Sequence, residues 1–237
     1  MCGIVGYIGK ADAPTVLING LRRLEYRGYD SAGLAIIDGE RIIISKSAGK
    51  VSSLNERART DWSPDLFSRS TLGIAHTRWA THGPPTEVNA HPHLDRTGEV
   101  ALVHNGIIEN YRSLRARLEG KGHHFYSETD TEVLAHLIGD CDKGDLFQAV
   151  CDALHQVEGT FGIAVLSSRE PEKIITARRG SPIVIGVGDG ETIIASDAAA
   201  ILAHTQRVIY LDDDDIAIVT ADSVEIRDLH NIPVTRE

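Results

Sequence analysis

The chain has 237 residues, 42% hydrophobic and 24% charged, which is ordinary globular usage and argues against disorder. That length is enough to bury a sizeable core. The formal charge of -10 repels phosphate backbones and anionic membrane surfaces on average, so neither nucleic acid nor a membrane is expected as a partner.

In chain order, the Gly-interrupted, β-branched run 3–9 predicts a strand starting at the amino terminus. Apolar residues at helical spacing follow over 16–24. Runs 34–37 and 42–44, joined through Asp38-Gly39, predict a hairpin. A helix over 51–59 and a strand over 72–76 come next, then a Gly/Pro/His-rich loop over 80–93. The strand predicted over 100–104 runs directly into Asn105-Gly106. Helical spacing returns over 109–118, 132–137 and 146–157, and Thr129 with Glu132 fits a capping box that sets Asp130 at the positive end of a helix dipole. Short β-rich runs close the sequence at 162–166, 173–177, 183–187, 192–195, 207–211, 216–219 and 224–226. Strands at both ends with helices grouped between them predict an α+β fold with largely antiparallel sheets, as a single domain over 1–237. The polar end, 230–237, offers no closing core element.

Cys2 is the first residue that suggests chemistry. Removal of Met1 would put a thiol and a free α-amine on one residue, and an α-amine titrates near ~7.7–8.0, so it can serve as the thiol's base. Taken alone, Cys2 reads more readily as a buried terminal cysteine without a chemical role. Asn105 and Gly106 offer a side-chain and a backbone N–H that can converge on one developing oxyanion, although taken alone the same dipeptide is more often a plain turn. Residues 76–83, HTRWATHG, are rich in donors. Within them Arg78 carries the planar fork that suits a carboxylate, and Trp79 can form a wall or lid. Asp130 suits an ammonium group. Arg78 and Asp130 together suit the zwitterionic end of an α-amino acid.

These residues resemble a family. Residues 2–6 (CGIVG), 22–33 (RRLEYRGYDSAG), 76–83, 104–110 (HNGIIEN) and 127–132 (SETDTE) look like class II glutamine amidotransferases, over essentially the whole chain. The YRGYDSAG and TRWATHG segments are most similar to members that continue into a second, sugar-isomerising half. The resemblance implies an N-terminal-nucleophile hydrolase fold, a four-layer αββα sandwich. It implies that Cys2 forms a thioester with the side-chain acyl group of L-glutamine, with Asn105 and the Gly106 N–H holding the oxyanion. Arg78 would bind the α-carboxylate and Asp130 the α-ammonium. Trp79, Thr81 and His82 would lie on a loop closing over glutamine, and Arg27 would support the nucleophile. No cofactor is implied. The chain stops before a sugar-isomerising half, which is expected as its partner in a homo-oligomeric full-length enzyme, so on its own it would make ammonia and glutamate but no amino sugar. The alternatives are the glutaminase domain of another class II member, or a catalytically silent regulatory domain.

The remaining signals carry less. His91 and His93 have no partner at metal-ligand spacing and read as loop structure. Asp212–Asp215 lacks the Gly and distal Glu of a calcium loop and reads as a solvated turn. Cys141 and Cys151 fall on helical stretches as small core residues. Three cysteines without a CxxC, an amino terminus without a signal-peptide pattern and the lack of a bilayer-spanning apolar run make the cytoplasm the expected location.

Overall fold

The opening strand shows why the molecule has four layers. Every residue of β1 (Gly3–Ile8) is buried, because both faces of the strand are covered. Val5 and Tyr7 enter a core shared with helices, whereas Ile4 and Ile8 enter a separate core between two sheets. An uninterrupted apolar strand therefore signals two-sided burial where alternation would signal one wet face.

The computed structural model describes residues 2–79 and 83–236. After β1 come α1 (Ala13–Leu24), β2 (Ser31–Asp38), β3 (Arg41–Ala48), α2 (Val51–Asp61), α3 (Pro64–Arg69) and β4 (Leu72–Arg78). The middle of the chain holds β5 (His93–Leu94), β6 (Val100–Ile108), α4 (Tyr111–Gly120), α5 (Asp130–Cys141) and α6 (Leu146–Leu154). The chain ends with β7 (Gly159–Ser167), β8 (Ile174–Arg179), β9 (Val184–Val187), β10 (Thr192–Ala195), β11 (Val208–Tyr210), β12 (Asp215–Val219) and β13 (Val224–Asp228). The described residues build a seven-stranded sheet, β11-β9-β10-β1-β4-β2-β3, and a six-stranded sheet, β13-β12-β8-β7-β6-β5. The named strand pairs are antiparallel.

Three cores fill the stack. Helices α1 to α3 cover the outer face of the first sheet, and α4 to α6 that of the second. Ile74, Val103, Ala164 and Ile194 meet in the layer between the sheets. The fold is thus the αββα sandwich that the resemblance implies, and the α+β reading of the sequence holds. No helix among the described residues is long and apolar enough to cross a membrane.

Four local readings change. The strand expected to end at His104 runs on to Ile108, so Asn105 and Gly106 lie inside β6, opposite Gly162 and Phe161. Long-range pairing with β7 overrides the turn preference of Asn-Gly. The capping box is half formed: Thr129 Oγ1 accepts the Glu132 N–H at 3.2 Å, but the Glu132 carboxylate reaches past the cap to the N–H groups of Tyr126 (3.0 Å) and Ser127 (2.7 Å). The polar end does close against the fold. Val234 donates its N–H to Ile226 O at 3.0 Å, and Arg236 pairs with Asp215. Asp215 is accordingly 1% exposed, a buried carboxylate and not part of a solvated turn.

Candidate functional site

The layer between the sheets is apolar along most of its length and turns polar at one end. In β4, Leu72 and Ile74 face that layer, and the same alternation brings His76 and Arg78 to its end. Ala101 and Val103 of β6 lead to Asn105 in the same way. Cys2 sits just before β1, whose Gly3 pairs with Thr77 of β4. A cavity of about 290 Å³ opens there, lined among others by Cys2, Arg78, Trp79, Asn105, Gly106 and Asp130. Arg27 lines it too. Every site residue expected from sequence that lies within the described residues therefore meets at one place. Thr81 and His82 lie outside the described residues.

Backbone contacts fix the nucleophile candidate. The Gly3 N–H donates to Thr77 Oγ1 at 3.0 Å, the Ile4 N–H to Ser196 Oγ at 3.0 Å, and Asn105 Nδ2 to the Cys2 carbonyl at 3.1 Å. The Trp79 N–H donates to Cys2 Sγ at 3.1 Å. Burial pushes the Cys2 thiol up from its ordinary range, more than the Trp79 N–H and Arg78 pull it down. The resting sulfur is therefore a thiol at neutral pH, and attack needs a base. His76 is a poor candidate. Burial lowers it to about 3, and its Nε2 faces Asn105 Oδ1 at 2.9 Å.

Arg78 is 4% exposed and donates to the carbonyls of Pro84 (3.3 Å) and Gly83 (3.5 Å). Asp130 is the first residue of α5 and 5% exposed, and its Oδ2 accepts the Ile108 N–H at 2.8 Å. A buried guanidinium and a buried carboxylate on one cavity give it a dipolar lining. Arg27 is paired with Asp197, which also accepts from the Tyr26 hydroxyl at 2.6 Å. The Trp79 side chain, by contrast, is on a residue 54% exposed and lies over Gly28, where an added Cβ would come within 2.4 Å of the ring.

Sequence reasoning missed His76, Thr77, Ser196 and Asp197. His76 left a signal, namely a polar residue in phase with Leu72 and Ile74. Ser196 and Asp197 left none, because they reach β1 and Arg27 only through the pairing of β1 with β10. His91 and His93 are buried, and burial pushes both well below the ordinary imidazole range; His93 opens β5, and His91 lines the cavity. Cys151 is a buried core residue, and Cys141 is half-buried beside the same core.

The model of the glutamine amidotransferase domain matches residues 45–232. The chain belongs to this family. Its relatives include glutamine–fructose-6-phosphate aminotransferase (isomerizing) of Chlorobaculum tepidum, 54% identical over 98% of this chain and 38% of that protein. The Thermus thermophilus enzyme of the same name is 51% identical over 100% of this chain and 38% of its own length. The chain thus spans about 38% of the curated relatives it matches. Among solved structures, the glutamine phosphoribosylpyrophosphate amidotransferase of B. subtilis shares the fold, with a TM-score of 0.81 at 24% identity over 96% of this chain and 49% of that one. A structure of the allosteric regulatory enzyme of purine biosynthesis has a TM-score of 0.81 at 27% identity, covering 98% and 50%. The amidotransferase domain described here accordingly has the N-terminal-nucleophile hydrolase fold.

Proposed function

We propose that this chain hydrolyses L-glutamine to glutamate and ammonia, as the ammonia-generating part of a glutamine–fructose-6-phosphate aminotransferase. The observation that carries the reading is the convergence of Cys2, Asn105, Gly106, Arg78 and Asp130 on one cavity of about 290 Å³, in a chain about half identical to enzymes of that name.

With Met1 removed, the α-amine of Cys2 takes the thiol proton as Sγ attacks the side-chain amide carbon of glutamine. The carbonyl oxygen becomes an oxyanion facing the Asn105 amide and the Gly106 N–H. The amine then passes its proton to the leaving nitrogen, the C–N bond breaks and ammonia departs, leaving a thioester. Water attacks the thioester, giving one proton to the amine, and glutamate leaves as the thiol is restored. A neighbouring base is what the raised thiol pKa calls for. Arg78 receives the α-carboxylate in a fork, and Asp130 the α-ammonium. Trp79, Thr81 and His82 belong to a segment that closes over glutamine and shapes the exit for ammonia, and Arg27 supports the nucleophile from the cavity wall. In the longer protein, the remainder of the chain isomerises fructose 6-phosphate and takes up the ammonia to give glucosamine 6-phosphate, in a cytoplasmic homo-oligomer.

Glutamate release from glutamine, measured on protein whose intact mass shows Met1 to be absent, tests the reading. Release that disappears in Cys2→Ala, together with loss of labelling by an electrophilic glutamine analogue, is the expected result. Labelling that persists at Cys141 or Cys151 would overturn it.

A further inference from the structure

We infer that His76 is a positioning residue whose Nε2–H holds Oδ1 of Asn105 and thereby keeps the amide nitrogen of Asn105 turned toward Cys2. The inference rests on the proposed function, in which that amide stabilises the oxyanion.

The hydrogen bonds determine the assignment in sequence. The Cys2 carbonyl can only accept, so the Asn105 atom 3.1 Å from it must be Nδ2. Oδ1 then faces His76 Nε2 at 2.9 Å. An amide oxygen is also only an acceptor, so Nε2 must carry the proton and donate. That leaves Nδ1 bare. It is buried without a hydrogen-bond partner, a place where a lone pair costs less than an orphaned N–H. Protonation of both nitrogens would bury a charge in that same place, and burial keeps the ring uncharged down to about pH 3.

The ring is also held in orientation. His76 stacks on His91 at 4.2 Å between centroids and 26° between planes, and His91 meets the edge of His93 at 5.1 Å. His91 Nδ1 in turn accepts the His104 N–H at 3.4 Å. His104 is the residue before Asn105, so the imidazole stack is tied to the strand that carries the amide.

The orientation matters because an asparagine amide turned over by 180° fits the same space but exchanges donor for acceptor. In the held orientation one Nδ2 hydrogen binds the Cys2 carbonyl and the other remains for an oxyanion. A flipped amide would present Oδ1 to that negative charge and repel it. His76 therefore acts on the reaction through the Asn105 amide.

A double-mutant cycle on glutamate release tests this. Asn105→Ala is expected to lose about 10²–10³-fold in kcat, as removal of one oxyanion donor does. His76→Phe should lose roughly ten- to hundred-fold in kcat, with the KM for glutamine within about three-fold of the parent, because the donor remains but is misoriented. His76→Gln, which restores an N–H near the position of Nε2, should recover most of that loss. In the Asn105→Ala background His76→Phe should cost nothing further. An equal loss in both backgrounds, an unchanged kcat in His76→Phe, or a His76→Gln protein as slow as His76→Phe would overturn the inference and leave the proposed function intact. Wild-type turnover in Asn105→Ala would instead overturn the oxyanion assignment on which both rest.

Discussion

Arg78 shows how one residue type can be required for its shape as much as for its charge. The guanidinium is buried at the end of β4, pinned against the Gly83 and Pro84 carbonyls, and remains charged because arginine gives up its proton too reluctantly for burial to neutralise it. Its position on the cavity wall leads to a prediction for Arg78→Ala. Glutamine affinity should fall by roughly ten- to hundred-fold, the value of a bidentate charged contact, while alkylation of Cys2 changes little. Isothermal titration of the Cys2→Ala protein with glutamine reads this directly, and unchanged affinity would remove Arg78 from the substrate contacts. Arg78 and Asp130 were legible in the sequence because a carboxylate and an ammonium call for opposite charges in short, recognisable segments. His76 was not, since its role depends on a neighbour in the other sheet.

At the scale of elements, two glycines of the YRGYDSAG segment are set by close contacts, one with Trp79 of the HTRWATHG segment and one with the His91 backbone. Gly28 lies under the Trp79 ring with φ of 74°, and Gly33 of β2 lies against the His91 carbonyl oxygen, which a Cβ would approach to 2.2 Å. The first contact is with a side chain that can move, the second with backbone that cannot easily do so. Gly33→Ala should therefore destabilise by about 1–3 kcal/mol, the usual cost of overpacking, and displace the segment from His91 into β5. A urea midpoint equal to wild type would show that this segment yields freely. The histidine stack gives a second prediction. His76, His91 and His93 have folded-state pKa values below the unfolded value near ~6.5, so the unfolded chain binds protons that the folded chain refuses. Stability is then complete above about pH 6.5 and falls as the pH drops below it, by up to about 1.4 kcal/mol per pH unit for each ring. Urea midpoints between pH 6.5 and 5, above the carboxylate range, should fall steeply. A flat profile would mean that the rings protonate in place.

For the whole molecule, the carboxy-terminal segment is a closing element that composition conceals. Asp215 opens β12, and it is buried because Arg236 reaches back to bind both of its oxygens at 2.7 Å. Arg236→Ala should lower the urea midpoint by leaving that carboxylate unpaired, and adding Asp215→Asn should restore part of the loss. Equal midpoints for the single and double variants would assign the effect to the arginine stem instead. The α+β class, nearly every helix and strand, the family resemblance and the placing of Cys2, Arg27, Arg78, Trp79, Asn105, Gly106 and Asp130 among the candidate site residues could be read from the sequence. Those features are written in local periodicity and in short runs of chemically distinctive residues. That Asn105-Gly106 continues a strand, that Glu132 reaches past its helix cap, that Asp215 is buried and that His76 meets the Asn105 amide emerged from the packing of the two sheets. Each of these depends on partners far away in the chain, brought close only when two sheets pair, stack and close one end of their shared interior around a cavity.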